Sequence, residues 1–306
     1  MIDLHPLRPL RFSAAQIGVP DRLSAASGIV VVGDVLYAIA DDELHLGVFG
    51  LAGRHDAGWV RIFAGDLPDD AAARKALKPD LEALVRLPAF AGHPSGALLA
   101  LASGSKPNRR TGVLLGLDAS GALSGPPRLV DLSAPYTTLQ ARFPSLNIEG
   151  AVVRGQELVL LQRASGGHPE NALIGFPLAD VLGALGGVDE LRLPELPARI
   201  VTVELGRVDG VPLGFTDGSA LPDGRMVFSA VAEHVDDTYH DGPCIGAAIG
   251  IADVEGNVQR VEPVNPVQKI EGVDARMESD TIRLLLATDG DDRRVPGGLF
   301  DASLVP

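Results

Sequence analysis

Cysteine is nearly absent from this chain: Cys244 is the only one in 306 residues. No intrachain disulfide is possible, no oxidising compartment is implied, and a lone thiol reads as a small core residue rather than a nucleophile. Positive charge is scarce as well, with 26 Lys and Arg against 40 Asp and Glu and a net charge of -14. Nucleic acid and anionic membrane surfaces both demand a basic face, so neither is expected as a partner. No apolar run approaches the roughly 18 residues that a membrane helix needs. Met1-Ile2-Asp3-Leu4-His5-Pro6 lacks the basic and then apolar regions of a secretory leader. A soluble, cytoplasmic monomer is the expectation. Also missing are a Walker sequence, a Gly-x-Ser-x-Gly elbow, zinc-ligand spacing of Cys or His, and a dinucleotide fingerprint between a strand and a helix.

What the chain has is turns and a repeat. Its 36 glycines, 23 prolines and 46% hydrophobic content suit many short strands better than long helices. An acid, a small residue and an apolar strand recur in Asp80-Leu81-Glu82-Ala83-Leu84, Asn147-Ile148-Glu149-Gly150-Ala151, Thr216-Asp217-Gly218-Ser219-Ala220 and Ile270-Glu271-Gly272-Val273-Asp274. Ala26-Ser27-Gly28-Ile29-Val30 fills the same slot without the acid. The five copies lie roughly 55 to 70 residues apart, a propeller-like spacing.

Each copy opens a run of short strands joined by turns such as Gly33-Asp34, Pro222-Asp223-Gly224 and Glu255-Gly256-Asn257, whose residues tolerate positive φ. The first is expected over 27–32, 35–40, 44–51 and 59–64, and the fourth opens at Gly218. The fifth has three strands, and Leu7 to Ala14 is the natural donor of its missing outer strand. The fold read from this pattern is all-β: residues 1–306 form a single five-bladed β-propeller, closed by an N-terminal strand that joins the last blade. Six blades is the alternative. Short helices are expected at 69–77, 134–143 and 178–185.

In such a blade the start of the innermost strand and the end of the second lie at the same mouth of the central tunnel. Glu82, Glu149, Asp217 and Glu271 therefore converge there, with Asp41, Asp42, Asp289 and Asp291 as further candidates. Carboxylates packed around a narrow axis raise one another's pKa and call for protons or a metal. Calcium suits an all-oxygen donor set best. The alternative is that the acids accept hydrogen bonds from backbone amides at the strand starts. Glu233 and His234 open the densest polar loop, 233–241, and supply a candidate general base. Lys106 and Arg163 bring positive charge to the same face, suited to a small anionic ligand.

Together with Leu36-Tyr37-Ala38-Ile39-Ala40-Asp41-Asp42, these Glu-Gly strand starts resemble those of calcium-dependent propellers, namely the phytase-like esterase domains and the calcium-activated nucleotidases (apyrases). The resemblance implies a calcium site at Glu82, Glu149, Asp217 and Glu271. The expected function is metal-dependent hydrolysis of a small anionic ester, phosphoester or lactone, with Glu233, His234, Arg163 and Lys106 as the catalytic set. A non-catalytic propeller that binds a ligand or partner, with calcium as a structural staple, is the competing reading.

Overall fold

The protein is described by a computed structural model covering residues 1–12, 21–51, 57–164, 170–233 and 244–305. Five antiparallel sheets stand around one axis as a five-bladed β-propeller. Blade I comprises Ala26–Val32, Val35–Ala40, His45–Gly50 and Gly58–Arg61. Blade II comprises Leu81–Leu87, Ala97–Ala102, Thr111–Leu117 and Leu123–Asp131, with Leu191–Arg192 added in parallel at its edge. Blade III comprises Ile148–Arg154, Glu157–Gln162, Asn171–Pro177 and Arg199–Val203. Blade IV comprises Gly214–Ala220, Met226–Glu233, Cys244–Ala252 and Val258–Asn265. Blade V comprises Ile270–Glu278, Thr281–Thr288 and Gly298–Leu304.

Neighbouring blades cover both faces of each sheet, so the second strands read as apolar runs rather than as alternations. Every residue of Ala97–Ala102 is buried, as are all but the first of Val35–Ala40 and Glu157–Gln162. The helices are Ala71–Leu77, Ser133–Arg142 and Leu178–Leu185, close to the expected segments.

The ring closes through the N-terminus, as expected, but with a different segment. His5–Pro9, not 7–14, is the outer strand of blade V, pairing antiparallel with Gly298–Leu304. Ile2–Asp3 adds in parallel to the edge of blade IV, beside Val264 and Asn265. The Arg8 guanidinium donates to Gly50 O of blade I at 2.7 Å, so three blades are joined by nine residues of chain. Residues 13–20 lie outside the described region.

The innermost strands share one irregularity, which positions everything that follows. Each contains a β-bulge near its start, and the extra residue is Ser27, Glu82, Glu149, Thr216 or Glu271. The position structurally equivalent to the three glutamates in blade IV is therefore Thr216, and Asp217 falls one residue later. The inner strand of this blade accordingly begins at Gly214 rather than Gly218. An unopposed residue bends its strand and is free to turn its side chain towards the axis. In blades I, III and V the residue after it is glycine, and adjacent inner strands meet there. A Cβ at Gly150 would lie 3.0 Å from Asp217 Cα, and one at Gly28 would lie 3.2 Å from Leu84 N.

Candidate active site at the acidic mouth

The bulge residues form a layer across one end of the tunnel, and their chemistry divides them. Ser27 Oγ donates to Leu81 O of blade II at 2.6 Å, and Thr216 Oγ1 donates to Ile270 O of blade V at 2.7 Å. These two hydroxyls are spent on tying one inner strand to the next. Glu82, Glu149 and Glu271 cannot donate in this way when ionised, and no backbone N–H meets them among the described residues. Glu82 and Glu271 have no hydrogen bond there at all; Glu149 has Asn147 Nδ2 and Arg163 Nη1.

Burial and mutual repulsion push all three carboxyls above the ordinary glutamate range. For Glu82 the main cause is desolvation, followed by the charges of Glu149, Asp80 and Asp41. Glu271 is raised by desolvation against the opposing pull of Lys269 and Arg163. Glu149 is raised to about 7, desolvation outweighing the Arg163 guanidinium. A carboxyl at that value exchanges its proton near neutrality, which is what a general acid or base requires.

Around this layer, the ends of the second strands and the residues preceding the inner strands interleave charges of both signs. Lys78 pairs with Asp41 and lies 2.8 Å from Asp80. Asp80 also accepts from Ser103 Oγ, from Ser105 Oγ at 3.2 Å and from Arg109 Nη1 at 2.8 Å. Its backbone holds a left-handed φ of 60°, a conformation that Asp tolerates better than most side chains. On the other side Lys269 reaches Glu233 at 3.2 Å, Asp289 at 3.2 Å, Asp291 at 3.0 Å and Glu271 at 3.8 Å. Arg163 bridges Glu149 and Glu233. Burial raises Asp289 to about 6 even with Lys269 alongside. Among the described residues, eight carboxyls thus surround four cations: Asp41, Asp80, Glu82, Glu149, Glu233, Glu271, Asp289 and Asp291 against Lys78, Arg109, Arg163 and Lys269.

Several expected residues stand elsewhere. Asp217 is wholly buried below the glutamate layer, where Oδ1 accepts Gly218 N–H at 2.8 Å and Oδ2 accepts Val273 N–H at 2.9 Å. Asp42 turns outward to Arg74 at 3.1 Å and Arg293 at 3.2 Å, in a buried cluster with Glu43 over the helix Ala71–Leu77. Lys106 is exposed on its loop. His234 lies outside the described residues. Among those described, one trio of potential ligand groups brings its atoms within 4.8 Å of one another: Asp41, Asp80 and Glu82. Its oxygen-only donor set suits a hard cation, and Glu82 has no hydrogen bond among the described residues. The sequence places Lys269 close to this mouth, but its ion pairs, and those of Lys78, went unread. Their signal is position, two to four residues ahead of a bulge glutamate.

A family model covers residues 22–304, described as a family of unknown function, DUF6929. The chain belongs to this family. No curated protein matches the sequence. Among solved structures, the chain is similar to the glutaminyl cyclase of Myxococcus xanthus, with 13% identity, a TM-score of 0.50, and coverage of 100% of this chain and 98% of that one. A luciferin-regenerating enzyme is similar at 9% identity and a TM-score of 0.45, with 92% of each chain covered. Hydrazine synthase of Kuenenia stuttgartiensis is similar at 12% identity and a TM-score of 0.40, and this chain, 89% covered, spans only 58% of that one. At these identities the likeness to the cyclase speaks for the propeller fold alone.

Proposed function

We propose that this DUF6929 member is a hydrolase whose active site is the acidic mouth, acting on a small anionic ester, phosphoester or lactone with the help of a divalent cation, calcium by preference. The observation that carries this reading is the Asp41–Asp80–Glu82 trio within 4.8 Å, flanked by Glu149 and Glu271. The resemblance to calcium-dependent propellers rests on short motifs and points the same way. When bound, such a cation supplies positive charge where the ester becomes negative and acidifies a coordinated water.

The chain's own residues provide the rest. Glu149, at about 7, accepts a proton at a carboxylate oxygen and returns it to the leaving group. Arg163, 3.3 Å from Glu149, holds that carboxylate in place. Lys269 neutralises Glu233 and Asp289, which would otherwise repel an anion. With eight carboxyls against four cations, an anionic substrate is repelled until a cation is bound, so substrate affinity and metal affinity are coupled.

Calorimetric titration with calcium tests the first half of this reading: uptake is expected, weakened at least tenfold in Glu82→Gln. Absence of any calcium uptake would sink it. A panel of phosphoesters, lactones and aryl esters, run with and without chelator, tests the second half. Chelator-sensitive turnover is expected; calcium uptake without turnover would leave a ligand-binding propeller with a structural ion.

A further inference from the structure

Lys78 stands among the three acids proposed to hold the cation. Its ammonium donates to Asp41 Oδ2 and lies 2.8 Å from Asp80 Oδ1. Two carboxylate oxygens that touch one nitrogen are as close together as two ligands of one ion. Burial opposes the charge of Lys78, but Asp41, Asp80 and Glu82 outweigh it and hold the ammonium's pKa above the ordinary lysine value. The trio therefore already acts on one cation, and that cation belongs to the chain itself.

The surroundings fix both carboxylates and the lysine backbone, but not the ammonium. The other oxygen of Asp80, Oδ2, accepts from Ser103 Oγ, from Ser105 Oγ at 3.2 Å and from Arg109 Nη1 at 2.8 Å, so this carboxylate keeps its orientation without Lys78. Asp80 N–H donates to Asp41 O at 3.0 Å, which ties the two acids together through the backbone. The Lys78 N–H donates to Arg74 O at 2.8 Å and closes the helix Ala71–Leu77. Pro79 follows and restricts Lys78 to its extended backbone, with ψ of 145°. The four-carbon stem is flexible, so the ammonium can leave by rotation while both carboxylates stay in position.

Lys269 occupies the matching place in blade V and is held differently. It spreads over Glu233, Glu271, Asp289 and Asp291, and no trio of ligand groups as close as Asp41, Asp80 and Glu82 surrounds it among the described residues. Of the two lysines, Lys78 is the one that shares its place with the proposed metal.

We infer that Lys78 is a built-in competitor of the divalent cation: its ammonium fills the Asp41–Asp80 side of the site until the metal displaces it, and so sets the metal affinity and the preference for double charge. The inference rests on the reading of the mouth as a metal site. A free monovalent cation only exchanges one positive charge for another, and it competes with a tethered group at high effective concentration. A divalent cation brings twice the charge to the same carboxylates. The ammonium it releases remains within reach of its stem, where it offsets acids that repel an anionic substrate.

Calorimetric titration of the full chain with calcium compares the wild type with Lys78→Met, which removes the charge, and Lys78→Arg, which keeps it. Lys78→Met is expected to bind calcium about tenfold more tightly or better, and Lys78→Arg no more tightly than wild type. Lys106→Met removes a positive charge from an exposed loop and is expected to change the affinity by less than about threefold. In urea with chelator, Lys78→Met should unfold earlier than wild type, and calcium should restore it. A second measurement needs no variant: an amine-acylating reagent should modify Lys78 of the wild type faster with calcium than with chelator, read by peptide mass spectrometry. Calcium uptake by the wild type with unchanged or slower labelling of Lys78, or with equal or weaker binding by folded Lys78→Met, would overturn the competition and leave the metal site standing. Uptake by Lys78→Met alone would support the competition and overturn the metal reading of the wild type. Uptake by neither would overturn both.

Discussion

Both ends of the tunnel are made from the same five strands, and they differ in what their polar side chains do. At the bulge end Glu82, Glu149 and Glu271 crowd acceptors together without donors enough to meet them. Deeper in, Asp274 accepts Val31 N–H and Ser219 accepts Ala275 N–H, both at 2.9 Å, so side chains of blades IV and V tie one inner strand to the next. Asp217 stands between, its carboxylate met by two backbone donors. Burial still raises its carboxyl well above the ordinary range. A carboxylate near this axis therefore acts according to depth: one residue along the strand separates a group held by the fold from groups the fold leaves available.

That distinction predicts opposite outcomes for removing acids only a few ångströms apart in depth. Asp217→Ala strands two or three buried N–H groups and should cost roughly 4 kcal/mol, read by urea unfolding. Glu82→Gln removes a like charge from the crowded layer and should leave stability unchanged or raise it at pH 8 in the absence of calcium. Equal destabilisation by the two substitutions would erase the difference between matched and unmatched carboxyls.

The pH dependence of stability sharpens the same contrast. Glu149 titrates at about 7 in the folded protein, above its ordinary value of 4.5, so the folded state holds a proton that the unfolded chain has lost. Its contribution is fully present below about pH 4.5 and disappears as the pH rises through about 7, a loss on the order of 3 kcal/mol. Glu43, also at about 7, adds to the same fall from a different cluster. Glu149→Gln should flatten its share of the slope, and saturating calcium should oppose it. A flat profile between pH 5 and 7.5 in the wild-type protein would show that these carboxyls are not raised.

The blade count, the order of the strands, the helical insertions and closure through the N-terminus were all legible in the sequence, because turn residues and apolar runs recur at a fixed spacing. The bulge was not. Asp217 follows the grammar of an acid before a small residue, and only pairing with Ser229 places it beside Gly150 and Gly272 rather than Glu149 and Glu271. The closing strand was displaced because Leu7 to Ala14 reads as one run, whereas pairing with Gly298–Leu304 stops at Pro9. Of the mouth residues, the glutamates and Arg163 were visible as polar interruptions at strand ends. Lys269 was visible by its place beside Glu271, but its ion pairs and those of Lys78 were not, since an ion pair across blades leaves no mark in local sequence.

The two hydroxyl members of the bulge layer offer the smallest and most discriminating test. Ser27 and Thr216 occupy the glutamate position yet donate to the carbonyl of the next blade, at 2.6 Å and 2.7 Å. Thr216→Val keeps the shape and removes the donor, leaving Ile270 O without it, and should cost about 1 kcal/mol in urea unfolding. Calcium uptake at the Asp41–Asp80–Glu82 trio should be unaffected, since that trio belongs to blades I and II. If Thr216→Val instead abolished calcium uptake with stability intact, the hydroxyls would have to be counted with the glutamates as ligands, and the layer would be one ring rather than two staples and three free acids.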